Sequence, residues 1–144
     1  MADLPPLMRD QRKVDADQLQ LLAVFHFAFA ALAILGLGFL ALHYGLMHSV
    51  MSNPEAWKAP KGGAPAPAEV MRIFKWFYVI CGTLIITGGV VNLLSGLFIR
   101  KRKYRTFSIA VACLNCIQIP FGTMLGVFTL VVLLRDSVHE LYEA

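Results

Sequence analysis

Arg100-Lys101-Arg102-Lys103-Tyr104-Arg105 decides the architecture, because it stands between two long apolar runs. Residues 73–99 before it carry one charge, Lys75, near their start, and residues 106–134 after it carry none. A helix rises about 1.5 Å per residue, so ~20 apolar residues cross a hydrocarbon core about 30 Å thick. Five positive charges in six residues cannot lie in that core, and they mark one face of a membrane. The chain reads as an all-α integral membrane protein.

Composition agrees. Of the 144 residues, 58% are hydrophobic, against about 45–50% in soluble domains. The polar stretches between the runs are too short to fold as a soluble domain of their own. The net charge of +4 comes largely from the basic turn. A juxtamembrane basic segment faces anionic lipid, so membrane lipid is the expected partner and nucleic acid is not.

Upstream, residues 1–16 form a polar segment of mixed charge, expected on the cytoplasmic side, with Pro5-Pro6 breaking any early helix. Asp17-Gln18-Leu19-Gln20 has the pattern of a capping box and opens a first span over about 19–47. The apolar run 21–42 is too long for the core of a cleavable signal peptide, and no lipidation motif is expected. Residues 48–71, with Pro54, Pro60, Gly62-Gly63, Pro65 and Pro67, read as an external loop. A second span follows over about 72–99, opened by Phe74, Trp76, Phe77 and Tyr78, an aromatic group suited to the headgroup level.

The run 106–134 is ambiguous. Its 29 residues would measure ~44 Å as one helix, whereas two full spans want ~40 residues. Asn115, Gln118, Pro120 and Gly122 crowd its middle. One helix would leave that proline-broken polar segment at mid-bilayer, while a tight hairpin would bring it near the opposite interface. The hairpin is favoured: spans over about 104–118 and 120–135, a short helical hairpin around Pro120, and a four-helix transmembrane bundle within 17–144. Charge counting points the same way. Four spans place nine Lys/Arg with the termini and Arg100, Lys101, Arg102, Lys103 and Arg105, against four on the other side. Three spans give eight against five, a weaker bias. Both termini are thus expected in the cytoplasm, with Ser137-Val138-His139-Glu140 capping a short helix in the segment 136–144.

Gly82, Gly89 and Gly96 recur every seven residues, close to two helical turns, and so share one stripe of the second span, to which Gly88, Asn92 and Gly96, four apart, add Asn92. Gly122-Thr123-Met124-Leu125-Gly126 repeats the small-residue spacing in the last run. In lipid, helices associate by close backbone approach across such residues, either within one chain or between subunits. Asn92, Asn115 and Gln118 are the only amide side chains in the apolar runs. Unpaired in hydrocarbon each would be costly, so each should face protein, as interhelical glue, or water, in a lumen.

No Asp, Glu, Lys or Arg sits at the centre of a span, which argues against proton relays and ion-coupled transport. Cys113 and Cys116 have the spacing of a redox pair, but residues 48–71 contain no cysteine to exchange with a substrate. His26 and His43 lie ~25 Å apart along one helix, too far to ligate one haem. No catalytic, cofactor or metal-ligating pattern emerges.

From Arg105-Thr106-Phe107 through Asn115-Cys116 to the segment Pro120-Phe121-Gly122-Thr123, the C-terminal part resembles small bacterial four-span inner-membrane proteins of unassigned function. The resemblance covers roughly 72–135. It implies a bacterial inner membrane and a four-helix bundle, and assigns no catalytic residue. Three functions follow in order: a non-enzymatic accessory or structural component, alone as an oligomer or in a larger membrane complex; a homo-oligomeric pore lined by Asn92, Asn115 and Gln118; and a thiol redox protein using Cys113 and Cys116.

Overall fold

The computed structural model describes residues 6–53 and 67–143. All of its regular structure is helical: α1 Pro6–Met51, α2 Pro67–Arg100, α3 Arg105–Asn115, α4 Phe121–Leu133 and α5 Asp136–Glu143. Within α1 and α2, the segments Asp10–Met51 and Glu69–Arg100 are long and apolar enough to cross a membrane. With 11 and 13 residues, α3 and α4 extend only about 17 and 20 Å. Neither crosses a full hydrocarbon core alone. α5 bends from α4 by 80° and carries Asp136, His139 and Glu140.

Several boundaries differ from the sequence reading. α1 begins at Pro6 and runs through Asp17 without a break, so the expected capping box is helix interior. Proline is tolerated in a first helical turn, where its missing N–H would have no intrahelical acceptor. Arg, Gln, Lys, Leu and Met then propagate the helix well. Helix replaces the ends of the expected loop, at 48–51 and 67–71. Its middle, 54–66, lies outside the described residues, as do residues 1–5. α5 starts two residues before the position a Ser137 cap requires. Its first turn closes on Arg135, whose carbonyl accepts the N–H groups of Val138 and His139 at 3.2 and 3.0 Å.

Two compact units divide the chain. The first comprises Met1–Ala30 with Val90–Ala144, and the second Ala31–Gly89. The first holds nearly all of the core. Asp15, Leu19, Leu22, His26 and Ala30 are buried on α1 at steps of three and four, one helical stripe. Ile99 of α2, Leu125, Val132 and Leu133 of α4, and Val138 of α5 form one cluster with Leu19, Leu22 and Ala23, and Asn92, Ser95, Ser108, Val111, Ala112 and Thr129 are also buried. Seven buried side chains here are polar: Asp15, His26, Asn92, Ser95, Ser108, Asn115 and Thr129. This polar share of the interior has a physical cause, since a leucine gains little by leaving lipid for protein whereas a polar group gains a partner.

The second unit consists of the remaining lengths of α1 and α2. Leu40 lies 3.6 Å and Ile85 3.8 Å from where β-carbons on Gly82 and Gly36 would stand. Tyr78 is buried among Phe74, Phe77, His43 and Tyr44, and its hydroxyl shares a 2.6 Å hydrogen bond with His43 Nδ1. Large apolar side chains including Ile34, Leu35, Phe39, Leu42, Ile73 and Trp76 are exposed on both helices.

Candidate functional site

The polar residues of the first unit fall into three groups along its helices. The first group is an amide pair between α2 and α3. Asn92 Nδ2 donates to Asn115 Oδ1 at 3.1 Å, and Asn115 Nδ2 donates to Asn92 Oδ1 at 2.8 Å. Both side chains are almost wholly buried. Each amide supplies a donor and an acceptor to the other, so the pair ties α2 to α3. Asn115 is buried at the end of an 11-residue helix. Gln118 and Pro120 are exposed in the turn between α3 and α4, which contains a cis Ile119–Pro120 peptide bond.

Six backbone N–H groups in and beside that turn are satisfied locally. The N–H groups of Cys116, Ile117, Gln118 and Ile119 donate to the carbonyls of Ala112, Leu114, Asn115 and Ile117. Thr123 N–H reaches Gln118 O, Met124 N–H reaches Pro120 O, and Thr123 Oγ1 donates to Cys116 O at 2.8 Å.

Glycines permit the close approach of these helices. A β-carbon on Gly126 would stand 2.5 Å from Ala112 O and 2.6 Å from Cys116 Sγ. One on Gly122 would stand 2.6 Å from Asn115 O. One on Gly96 would meet the Phe27 ring at 2.8 Å and Ala23 O at 3.2 Å. The other stripe positions differ, for Gly82 has only an ordinary contact and Gly88 has no atom within 4 Å. Gly89 is half-buried. The seven-residue repeat therefore does not describe a single crowded seam.

The second group joins α1 to the start of α5. Asp15 is fully buried, and its Oδ1 accepts from Gln11 Nε2 at 3.0 Å and from Arg135 Nη1 at 3.4 Å. Arg135 Nη1 also donates to Gln18 Oε1 at 2.8 Å, and Arg12 pairs with Glu140 at 3.3 Å on the surface. Asp15 Oδ2 is buried with no partner. The sequence offered no sign of this group, because Asp15 lies among charges of both signs that read as a solvated segment. One helical turn beyond Leu22, His26 Nδ1 lies 3.0 Å from the Leu22 carbonyl. A carbonyl only accepts, so the proton is assigned to Nδ1.

The third group is the basic turn. Arg102 and Tyr104 both have φ of 51°, the left-handed region that non-glycine residues rarely enter. Arg102, Lys103, Tyr104, Arg105, Thr106, His139 and Tyr142 line a cavity of about 400 Å³. Arg105 Nε donates to Leu133 O at 2.7 Å, which fixes its guanidinium against the end of α4. The Tyr142 hydroxyl oxygen is buried without a partner among the described residues, and burial pushes its pKa up to about 12 against the opposing pull of Arg105 and Arg102. Arg100 and Lys101 are exposed and stand outside this cavity.

Cys113 is exposed, Cys116 lies against Gly126, and both thiols are free. Comparison of the chain with protein-family models, with curated proteins and with solved structures gives no match.

Proposed function

We propose that the chain is a non-enzymatic accessory or structural component of a bacterial inner membrane that acts through helix–helix association. Its four helical segments would comprise two full spans, α1 and α2, and an α3–α4 hairpin that enters and leaves on the basic, cytoplasmic face together with both termini. The reciprocal Asn92–Asn115 pair is the observation that carries this reading. Two amides that a channel would turn to water are instead spent on each other, as cohesion between helices requires.

The hairpin's placement draws on two further features. α3 and α4 are too short to cross, and their turn bonds the N–H groups of Cys116 through Ile119, Thr123 and Met124 within itself, which lowers the cost of a turn in hydrocarbon. The exposed apolar faces of the second unit supply surface for lipid and for further helices. The bacterial inner membrane is implied by the resemblance of residues 72–135.

The test is cross-linking at single cysteines on those faces, Leu35→Cys and Trp76→Cys, in native membranes, combined with solute flux in liposomes. Specific adducts with a second copy or another membrane protein, and no flux, are expected. Flux abolished by Asn92→Leu without loss of assembly would establish the pore instead. Absence of any adduct at either face would remove the association role.

A further inference from the structure

We propose that the cavity at the base of the hairpin is a binding site for a phosphoryl group, held by Arg102, Lys103, Arg105 and the Tyr142 hydroxyl. The inference goes beyond the association role and does not depend on it. A topology signal needs only net positive charge, which any extended basic loop supplies. Here the charges are arranged instead. Arg102, Lys103 and Arg105 are gathered with His139 around one concavity of about 400 Å³, and among the described residues no carboxylate lines it. Concentrating cations without a counter-charge is unfavourable, and an anion bound between them reverses the sign of that contribution.

Three features favour a phosphoryl group over a diffuse ion atmosphere. Arg105 is anchored through Nε to Leu133 O, so the rest of its planar fork is held in place before any ligand arrives. The Tyr142 hydroxyl, buried and unpartnered in the same wall, stays protonated at neutral pH and has a proton to donate. The cavity also opens on the first turn of α3. Tyr104 provides no side-chain cap there, and its carbonyl accepts from Phe107 and Ser108. The amides of Arg105 and Thr106, in that first turn, have no acceptor within the helix. Guanidinium forks, an ammonium, a hydroxyl and backbone amides together match the tetrahedral oxygens of a phosphate.

A lipid headgroup and a free phosphate would present this same chemistry. Arg102 also lines a neighbouring cavity whose walls include Leu19, Ala23, Val24 and Phe27, where an acyl chain would find apolar surface.

The experiment uses the full-length protein in nanodiscs of phosphatidylcholine with and without phosphatidylglycerol. Retained lipid is read by native mass spectrometry, and binding of inorganic phosphate by thermal shift. Arg102→Gln, Lys103→Gln and Tyr142→Phe are compared with Lys101→Gln, which removes one charge from the same turn but stands outside the cavity. Circular dichroism verifies that each variant is folded, and Arg105→Gln is left out because its anchor also holds α4. Arg102→Gln is expected to weaken binding about tenfold, Tyr142→Phe severalfold, and Lys101→Gln less than about twofold. Phosphatidylglycerol retained by the native protein and lost in the cavity variants, with no shift from inorganic phosphate, identifies a lipid site. A phosphate shift lost in the same variants identifies a soluble ligand. Equal weakening by Lys101→Gln and Arg102→Gln, or no binding of either probe, would overturn the proposal.

Discussion

The Asn92–Asn115 pair shows how little a residue's identity says without its partner. Each asparagine signals in the sequence that it must meet a hydrogen-bonding group, since an unpaired amide in hydrocarbon is costly. That the two meet each other depends on α3 folding back along α2, a long-range fact no local pattern encodes. The reciprocal geometry makes a sharp prediction. Asn92→Leu leaves the Asn115 amide buried and unmatched and should destabilise by about 1–2 kcal/mol. Asn92→Leu with Asn115→Leu removes both needs and should recover much of that loss, as measured by unfolding in mixed detergent micelles. A double variant as damaged as the sum of the single ones would show that the amides act independently. Glycines pose a similar question. Periodicity places Gly88 and Gly96 on one stripe, but a β-carbon on Gly96 would be crowded by Phe27 and Ala23 while one on Gly88 would have open space. Gly126→Ala, facing backbone at 2.5 Å, should lower the midpoint of thermal aggregation clearly, and Gly88→Ala should leave it unchanged or raise it through better helix propensity. Equal responses at the two sites would contradict the packing described here.

At the scale of elements, the boundary of α1 teaches most. Pro5-Pro6 and the Asp17 cap pattern argue for a late start, yet the helix begins at Pro6. Its first turns are worth extending because Asp15 and Leu19 are buried against the rest of the first unit. Sequence carried the apolar lengths of α1 and α2 and the break at Pro120, which depend on composition and on one missing N–H. It did not carry the interior of the first unit, because in a membrane protein hydrophobicity no longer distinguishes inside from outside. The Asp15–Arg135 contact gives an asymmetric prediction. Asp15 is fully buried with one oxygen unpartnered, whereas the Arg135 side chain is 37% exposed. Removing the guanidinium would strand a carboxylate in the core, so Arg135→Ala should cost about 3 kcal/mol or more. Asp15→Asn keeps a hydrogen-bonding group there and loses only a long, 3.4 Å ion pair, so its cost should stay near 1 kcal/mol. Chemical unfolding of the two variants and of their combination separates these cases, and a greater loss from Asp15→Asn would refute the argument. The surface pair Arg12–Glu140 should contribute little in the same assay.

For the whole molecule, the depth of the hairpin decides the topology, and three arrangements can be told apart in one labelling series. Single cysteines are placed at Ala2, Lys58, Ile119 and Ala144 in a background lacking Cys81, Cys113 and Cys116, and are treated with an impermeant maleimide from each side. If α1 and α2 cross while the hairpin enters and returns, Ala2→Cys and Ala144→Cys label from the basic side and Lys58→Cys from the other. Ile119→Cys then labels from neither side, because helices of about 17 and 20 Å hold the turn inside a core about 30 Å thick. If α3 and α4 were both full spans, Ile119→Cys would label together with Lys58→Cys. If 106–134 crossed once, Ala144→Cys would label from the Lys58 side instead. The first pattern is expected. The 11 and 13 residues of the two helices cannot reach across without strong local thinning of the bilayer, and most of the turn's N–H groups bond within it. Ile119 itself is 85% exposed, so protection from the reagent would come from lipid rather than from protein. Solubilising the same sample in detergent should therefore make Ile119→Cys reactive at once, and a cysteine that stayed inert after solubilisation would place the turn inside protein.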